Sequence, residues 1–178
     1  MVADPAGEFS AYVAARQRAL VRMAFRLTGD HHAAEDLVQS ALARTYLAWG
    51  GIRDKSLLDA YVRRAMVNEH TTWWRRPWRR RERSTAVLPE HGAVDQQGFA
   101  SRDGVLELIA TLPPRQRAAV VLRYYEDLSQ VETALVLGCS VGTVKSQVSR
   151  ALATLRVRLA EHGIASTTTY LTADDGVG

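Results

Sequence analysis

The feature that most constrains this chain is a very short turn between two helical patterns. Ser129 and Glu132 stand at the capping-box spacing, where each side chain can bond the other residue's backbone N–H and open a helix. That helix is short. Val131, Ala134 and Leu135 supply its apolar face, and Gly138, which can take the left-handed conformation, ends it. After Cys139, Ser140 caps the next helix. Along this longer helix Val144, Val148, Ala151, Leu152, Leu155 and Leu159 recur at helical spacing and form one buried stripe. A short helix, a tight turn and a long amphipathic helix in that order make a helix-turn-helix.

The other side of the long helix carries chemistry. Its first two turns hold Gly142, Thr143, Ser146 and Arg150, flanked by Lys145, Gln147 and Ser149. A helix that enters the major groove needs such a surface: nothing bulky, donors and acceptors for base edges, and cations for phosphates. The competing reading is an ordinary solvated helix face. The tight turn and the short partner helix favour the groove.

Upstream, Pro113 and Pro114 can open a helix, because proline at the first helical position loses no intrahelical bond. Ala118, Val121, Leu122 and Tyr125 lie on one side of it. Before it, Val105, Leu108, Ile109 and Leu112 repeat at i, i+3, i+4 and i+7.

The 178 residues suffice for one ordinary domain or two small ones, and 47% hydrophobic content supports a packed core. The net charge of +4 suits a polyanionic partner. One cysteine, Cys139, excludes an intrachain disulfide and fits a reducing compartment. The opening MVADPAGEF lacks the basic-then-apolar pattern of an export signal. No apolar run approaches the roughly 18 residues of a membrane span, so a cytoplasmic protein without membrane insertion is expected.

The N-terminal half is also helical. From about Glu8 to Leu27, Phe9, Tyr12, Val13, Leu20, Met23, Ala24 and Leu27 fall mostly on one side, and Thr28-Gly29-Asp30 breaks the pattern. From His32 to Trp49 the stripe is Ala34, Leu37, Val38, Ala41, Leu42, Thr45, Tyr46 and Trp49, opposite Glu35, Asp36, Gln39 and Arg44. His31 and His32 beside two acids read as a helix start rather than a metal site, since adjacent histidines point to different sides. A third helix begins near Asp54 or Ser56, with Leu57, Leu58, Tyr61, Val62, Ala65 and Met66 on its apolar side and Arg63 and Arg64 exposed. Pro77 ends it near Arg76.

The end of that helix changes character. Trp73-Trp74-Arg75-Arg76-Pro77-Trp78-Arg79-Arg80-Arg81 mixes indoles with guanidinium groups. Between Leu57 and Arg83, eight arginines stand against three acids, a charge of +5 and more than the whole chain's net value. Such a mixture suits unpaired nucleic acid, with cations on phosphates and indole faces on bases. A membrane-surface helix is the rival, but Pro77 breaks the continuity it needs. One of Trp73 and Trp74 is expected in the core, because neighbours a hundred degrees apart on a helix rarely share a task.

From Ser84 to about Arg102 all periodicity is lost, and the polar segment after Gly163 resembles a tail. The expected fold is therefore all-α: two small helical domains joined by a flexible linker. The boundaries read as 1–83, linker 84–102, helix-turn-helix domain 103–163 and tail 164–178.

These residues resemble a known family. The order Leu112-Pro113-Pro114-Arg115-Gln116-Arg117, Leu122-Arg123-Tyr124-Tyr125, Gly142-Thr143-Val144-Lys145-Ser146, Ser149-Arg150-Ala151 and Leu155-Arg156 is similar to region 4 of bacterial RNA polymerase sigma factors of the extracytoplasmic-function (ECF) group. Ala34-Glu35-Asp36-Leu37-Val38-Gln39, and Asn68 with the Arg-rich helix end, resemble region 2, and Trp73-Trp74-Arg75-Arg76 is similar to an actinobacterial branch. The resemblance implies a non-enzyme that needs no cofactor and no metal. It implies binding to the clamp helices of core RNA polymerase through Asp36 and Gln39. It implies that Thr143, Lys145, Ser146, Gln147 and Arg150 read or clamp duplex promoter DNA at the −35 element. Asn68, Trp73, Trp74, Arg75 and Arg76 would hold the −10 strand, and an anti-sigma factor is a partner the resemblance allows. The sequence departs from the family pattern at Thr72, Thr133 and Gln147.

Other classes fit less well. A ligand-responsive or phosphorylated regulator would share the helix-turn-helix but needs a sensing domain, and none is visible. An RNA-binding protein would use the Arg/Trp run without polymerase. An enzyme needs a polar catalytic constellation; the five histidines are scattered, and no nucleophile or glycine-loop pattern is present.

Overall fold

A computed structural model describes residues 5–75 and 102–161. Seven α-helices follow in order: α1 (Pro5–Thr28), α2 (His31–Ala48), α3 (Leu58–Arg75), α4 (Arg102–Ala110), α5 (Pro114–Tyr124), α6 (Gln130–Leu137) and α7 (Val141–Glu161). Two single 3-10 turns, Trp49–Gly51 and Lys55–Leu57, lead into α3. No strand occurs among the described residues. The expected linker, apart from Arg102, and the expected tail lie outside them.

Local chemistry sets the helix ends. Gly29 leaves α1 at φ +74°, where a side chain would be strained, and the Asp30 carboxylate accepts the Ala33 N–H at 2.8 Å to start α2. Pro113 and Pro114 open α5 as their fixed φ predicts. The capping box of α6 forms in full: the Glu132 N–H donates to Ser129 Oγ, and the Ser129 N–H donates to the Glu132 carboxylate at 2.8 Å. Those bonds to Ser129 hold the Glu132 carboxyl below its ordinary pKa.

Helices α1, α2 and α3 pack together around Leu20, Met23, Leu27, Leu37, Ala41, Val62 and Met66, all buried. Their burial follows the expected stripes with three corrections. Tyr46 is half-exposed at the edge of α2, its ring tilted against Phe9 at 5.0 Å between centroids. Leu57 is exposed because it belongs to the 3-10 turn and is out of register with α3. Tyr61 is partly exposed at the rim, while Leu58, Val67 and His70 take the buried positions.

Helices α4 to α7 build the second unit, and it is seated on the first. Helix α1 touches α4 and α5, and α3 touches α5 and α6. One continuous apolar cluster runs from Leu20 and Met66 to Val121, Val136 and Leu155. This changes α5. A one-sided helix was expected, but every residue from Arg117 to Leu122 is buried, because α5 lies between the two units.

Arg117 is fully buried. Its guanidinium donates to the carbonyl of Leu27 at 2.6 Å, of Leu112 at 3.1 Å and of Ala110. Leu27 and Ala110 sit at the C-terminal ends of α1 and α4, where carbonyls lack helical partners and the dipole favours a cation.

Helix α6 is also turned from its expected orientation. Val131 and Leu135 are 60% and 66% exposed, whereas Thr133, Ala134 and Val136 are buried. The helix is held between α3 and α7, so two neighbours choose its inward side. In α7, Val144, Ala151, Leu152, Leu155 and Leu159 are buried as expected; Val148 is only half-buried.

Candidate nucleic-acid interface

The turn between α6 and α7 is built from two short devices. Gly138 takes φ +63° and donates its N–H to the Ala134 carbonyl. The Ser140 Oγ then accepts the Thr143 N–H at 3.1 Å and shares a hydrogen bond with Thr143 Oγ1 at 2.9 Å. The Ser146 hydroxyl donates to the Thr143 carbonyl at 2.9 Å. Thr143 and Ser146 therefore shape the first turns of α7 as well as lining their surface.

Lys145 and Arg150 are exposed, and Gln147 is half-buried. None of the three side chains has an intramolecular hydrogen-bond or ion-pair partner among the described residues. Two free cations beside small polar residues on the outer face of a helix suit a negatively charged groove.

The predicted single-strand site is placed on a different helix. Asn68 is exposed on α3. Its carbonyl accepts the Thr72 hydroxyl at 2.8 Å and the Thr71 hydroxyl at 3.0 Å. Trp73 is the indole expected in the core: it is half-buried and packs against the apolar cluster. Its Nε1–H donates to Glu69 at 2.7 Å, and the other Glu69 oxygen pairs with Arg44 at 2.7 Å. Trp74 and Arg75 form the last turn of α3, and Arg76 lies outside the described residues.

Asp36 and Gln39 are exposed on α2, as a protein-facing pair requires. The α2 surface also carries Leu47, which is 87% exposed, and Tyr46 beside it. His31 stacks on the Phe25 ring at 4.4 Å. No helix among the described residues is long and apolar enough to cross a membrane.

Known proteins share this layout. A family model described as "Sigma-70 region 2" matches residues 12–80, and one described as "Sigma-70, region 4" matches residues 102–155. The RNA polymerase sigma-E factor of Streptomyces avermitilis is 48% identical over 153 residues, covering 85% of each chain. The chain belongs to the sigma-70 family. The ECF RNA polymerase sigma factor SigE of Mycolicibacterium smegmatis is 34% identical, over 79% of this chain and 57% of that one. Among solved structures, the Bartonella quintana sigma factor RpoE, in complex with the anti-sigma factor NepR, superimposes with a TM-score of 0.66 at 27% identity, over 86% of this chain and 97% of that one.

In this sigma-70 chain α1 to α3 fall in region 2 and α4 to α7 in region 4. Three residues make contacts that the sequence did not announce. Glu69 holds Trp73 and Arg44 together; its only sequence signal was the i, i+4 spacing to Trp73. Arg63, expected exposed, is largely covered, because its guanidinium pairs with Glu126 at 3.3 Å. Glu126 itself, between α5 and α6, carried no sequence signal at all.

Proposed function

We propose that this chain is an alternative sigma factor of the ECF group. It binds core RNA polymerase at the clamp helices through the α2 face carrying Asp36 and Gln39. It directs promoter-specific initiation without being an enzyme, and it acts in the cytoplasm. Thr143, Lys145, Ser146, Gln147 and Arg150 read or clamp the −35 duplex. Asn68, Trp73, Trp74, Arg75 and Arg76 hold the −10 strand, with Trp73 serving partly as an anchor for the end of α3. Residues 1–83 form the first domain, 84–102 the linker, 103–163 the second domain and 164–178 the tail. An anti-sigma factor is the natural regulator, as in the complex solved for the Bartonella relative.

The observation that carries the reading is the pairing of two chemistries in one chain. A helix-turn-helix presents unpaired cations on α7, which suits duplex DNA. An arginine- and tryptophan-rich segment ends α3, which suits a separated strand. Binding both elements at once raises the effective concentration of each, so neither contact has to be strong alone. A regulator or RNA-binding protein acting without polymerase leaves the region 2 match unexplained.

The test is to add the purified chain to core RNA polymerase and map transcript start sites on genomic DNA. Starts at a shared pair of promoter elements are expected. No association with core polymerase, or no new starts, overturns the reading.

A further inference from the structure

Trp73 stands on the side of α3 that faces the protein. At about 100° per residue, the five positions from Asn68 place it about 140° round the helix. Asn68 and Thr72 are exposed, whereas Trp73 is half-buried against the apolar cluster. A strand lying along the Asn68 side of α3 cannot also stack on a ring held on the far side. The indole is instead held from within the protein: its Nε1–H donates to Glu69 Oε1 at 2.7 Å.

The carboxylate that holds it is itself buried. The Glu69 side chain is 9% exposed, and its second oxygen pairs at 2.7 Å with the Arg44 guanidinium, which is 62% exposed on α2. Arg44, Glu69 and Trp73 thus form one bridge between α2 and α3, with each carboxylate oxygen committed to a different partner. Desolvating a carboxylate is unfavourable, and an apolar side chain of similar volume often serves stability as well or better. What the carboxylate adds is direction. Two charge-assisted contacts of restricted geometry fix the indole, and through it this turn of α3. Asn68 is the sequence neighbour of Glu69, and Arg75 begins the basic run two residues after Trp73. Fixing Glu69 and Trp73 therefore fixes how Asn68 is presented and where the basic run starts.

We propose that Glu69, held by Arg44, is a positioning residue for capture of the −10 strand, and that Trp73 serves the strand through the helix it anchors rather than by stacking on a base. This rests on the sigma-factor reading above. Within that strand site Asn68 faces outward, and Trp73 faces inward on the Glu69 carboxylate.

The test uses the full chain bound to core polymerase and two fluorescent probes. One is a single-stranded oligonucleotide carrying the non-template −10 sequence of a promoter mapped by its transcript start. The other is a duplex carrying only that promoter's −35 sequence. Glu69→Leu, which fills the site but accepts no hydrogen bond, should weaken strand binding roughly tenfold, the loss of about one charge-assisted bond, and leave duplex binding unchanged. Glu69→Gln keeps an acceptor for the indole and should recover most of the strand binding. Trp73→Phe keeps an aromatic ring and loses the donor; it should match Glu69→Leu, and the double variant should be no worse than either. In the isotope-labelled free chain, the Trp73 indole N–H resonance should be protected from exchange in the native protein and in Glu69→Gln, and lose that protection in Glu69→Leu, with circular dichroism confirming that all remain helical. Unchanged strand binding in Glu69→Leu, or equal loss of strand and duplex binding, overturns the positioning role. Losses that add in the double variant also overturn it, and make Trp73 a direct contact. A native chain that never joins polymerase, or joins it and captures neither probe, overturns the sigma-factor reading and the strand role with it, while the protected indole resonance stays.

Discussion

Replacing Arg117 by Met tests how the two units are joined. The guanidinium is fully buried and donates to three carbonyls, those of Leu27, Ala110 and Leu112. Two of these carbonyls end helices, so no backbone N–H replaces the lost donor. Methionine fills much of the volume but donates nothing. Hydrogen bonds from a charged donor contribute about 1.5–3 kcal/mol each, while burying the cation costs several kcal/mol. The net loss on removal should be about 3–5 kcal/mol: three carbonyls left unsatisfied at about 1–3 kcal/mol each, less the desolvation relieved by removing the cation. That is a fifth or more of the roughly 5–15 kcal/mol that holds an ordinary domain folded. Urea unfolding followed by far-UV circular dichroism and by tryptophan fluorescence measures it. Arg117→Lys should recover only part, because one ammonium cannot replace a planar fork directed at three carbonyls. A loss under about 1 kcal/mol for Arg117→Met, or full recovery by lysine, would exclude this role for the Arg117 guanidinium.

Three further outcomes follow from single contacts. Ser129→Ala should cost about 1 kcal/mol by removing the acceptor of the Glu132 N–H, read as a shift in the urea midpoint at unchanged slope. Arg150→Ala should weaken promoter binding and make the salt dependence shallower by about one counterion, measured by fluorescence anisotropy over a salt series. Tyr12 donates its hydroxyl to Asp59 at 3.0 Å, and burial first, then the Asp59 charge, push its pKa well above the ordinary value. The unfolded chain ionises near 10, so Tyr12 stabilises the fold fully below about pH 10 and that contribution falls as pH rises further; Tyr12→Phe should flatten this alkaline loss in thermal melts.

Much of this fold is legible in the residues because it is local. The capping box at Ser129 and Glu132, the left-handed Gly138 and the proline start of α5 depend on groups a few residues apart, and each forms as the spacing predicts. The outward surface of α7 was equally readable, since polar residues opposite a buried stripe must face water. Apart from Leu57, displaced locally by its 3-10 turn, the clearest misreadings depend on distant partners. Val131 and Leu135 looked like an inward face because they are apolar at helical spacing, yet α3 and α7 together turn Thr133 and Val136 inward. Arg63 looked like one more solvated cation of a basic run, yet Glu126, remote in sequence, covers it.

The starts of α5 and α6, the end of α6 and the polar outer side of α7 were all readable from the residues alone, because they follow from caps, periodicity and residue type. Packing between remote segments is what buries α5 from Arg117 to Leu122, makes Arg117 a buried staple and sets Glu126 between the halves. Those outcomes rest on which surfaces meet across tens of residues, and the lone arginine or glutamate reads the same in sequence whether it faces water or a second domain.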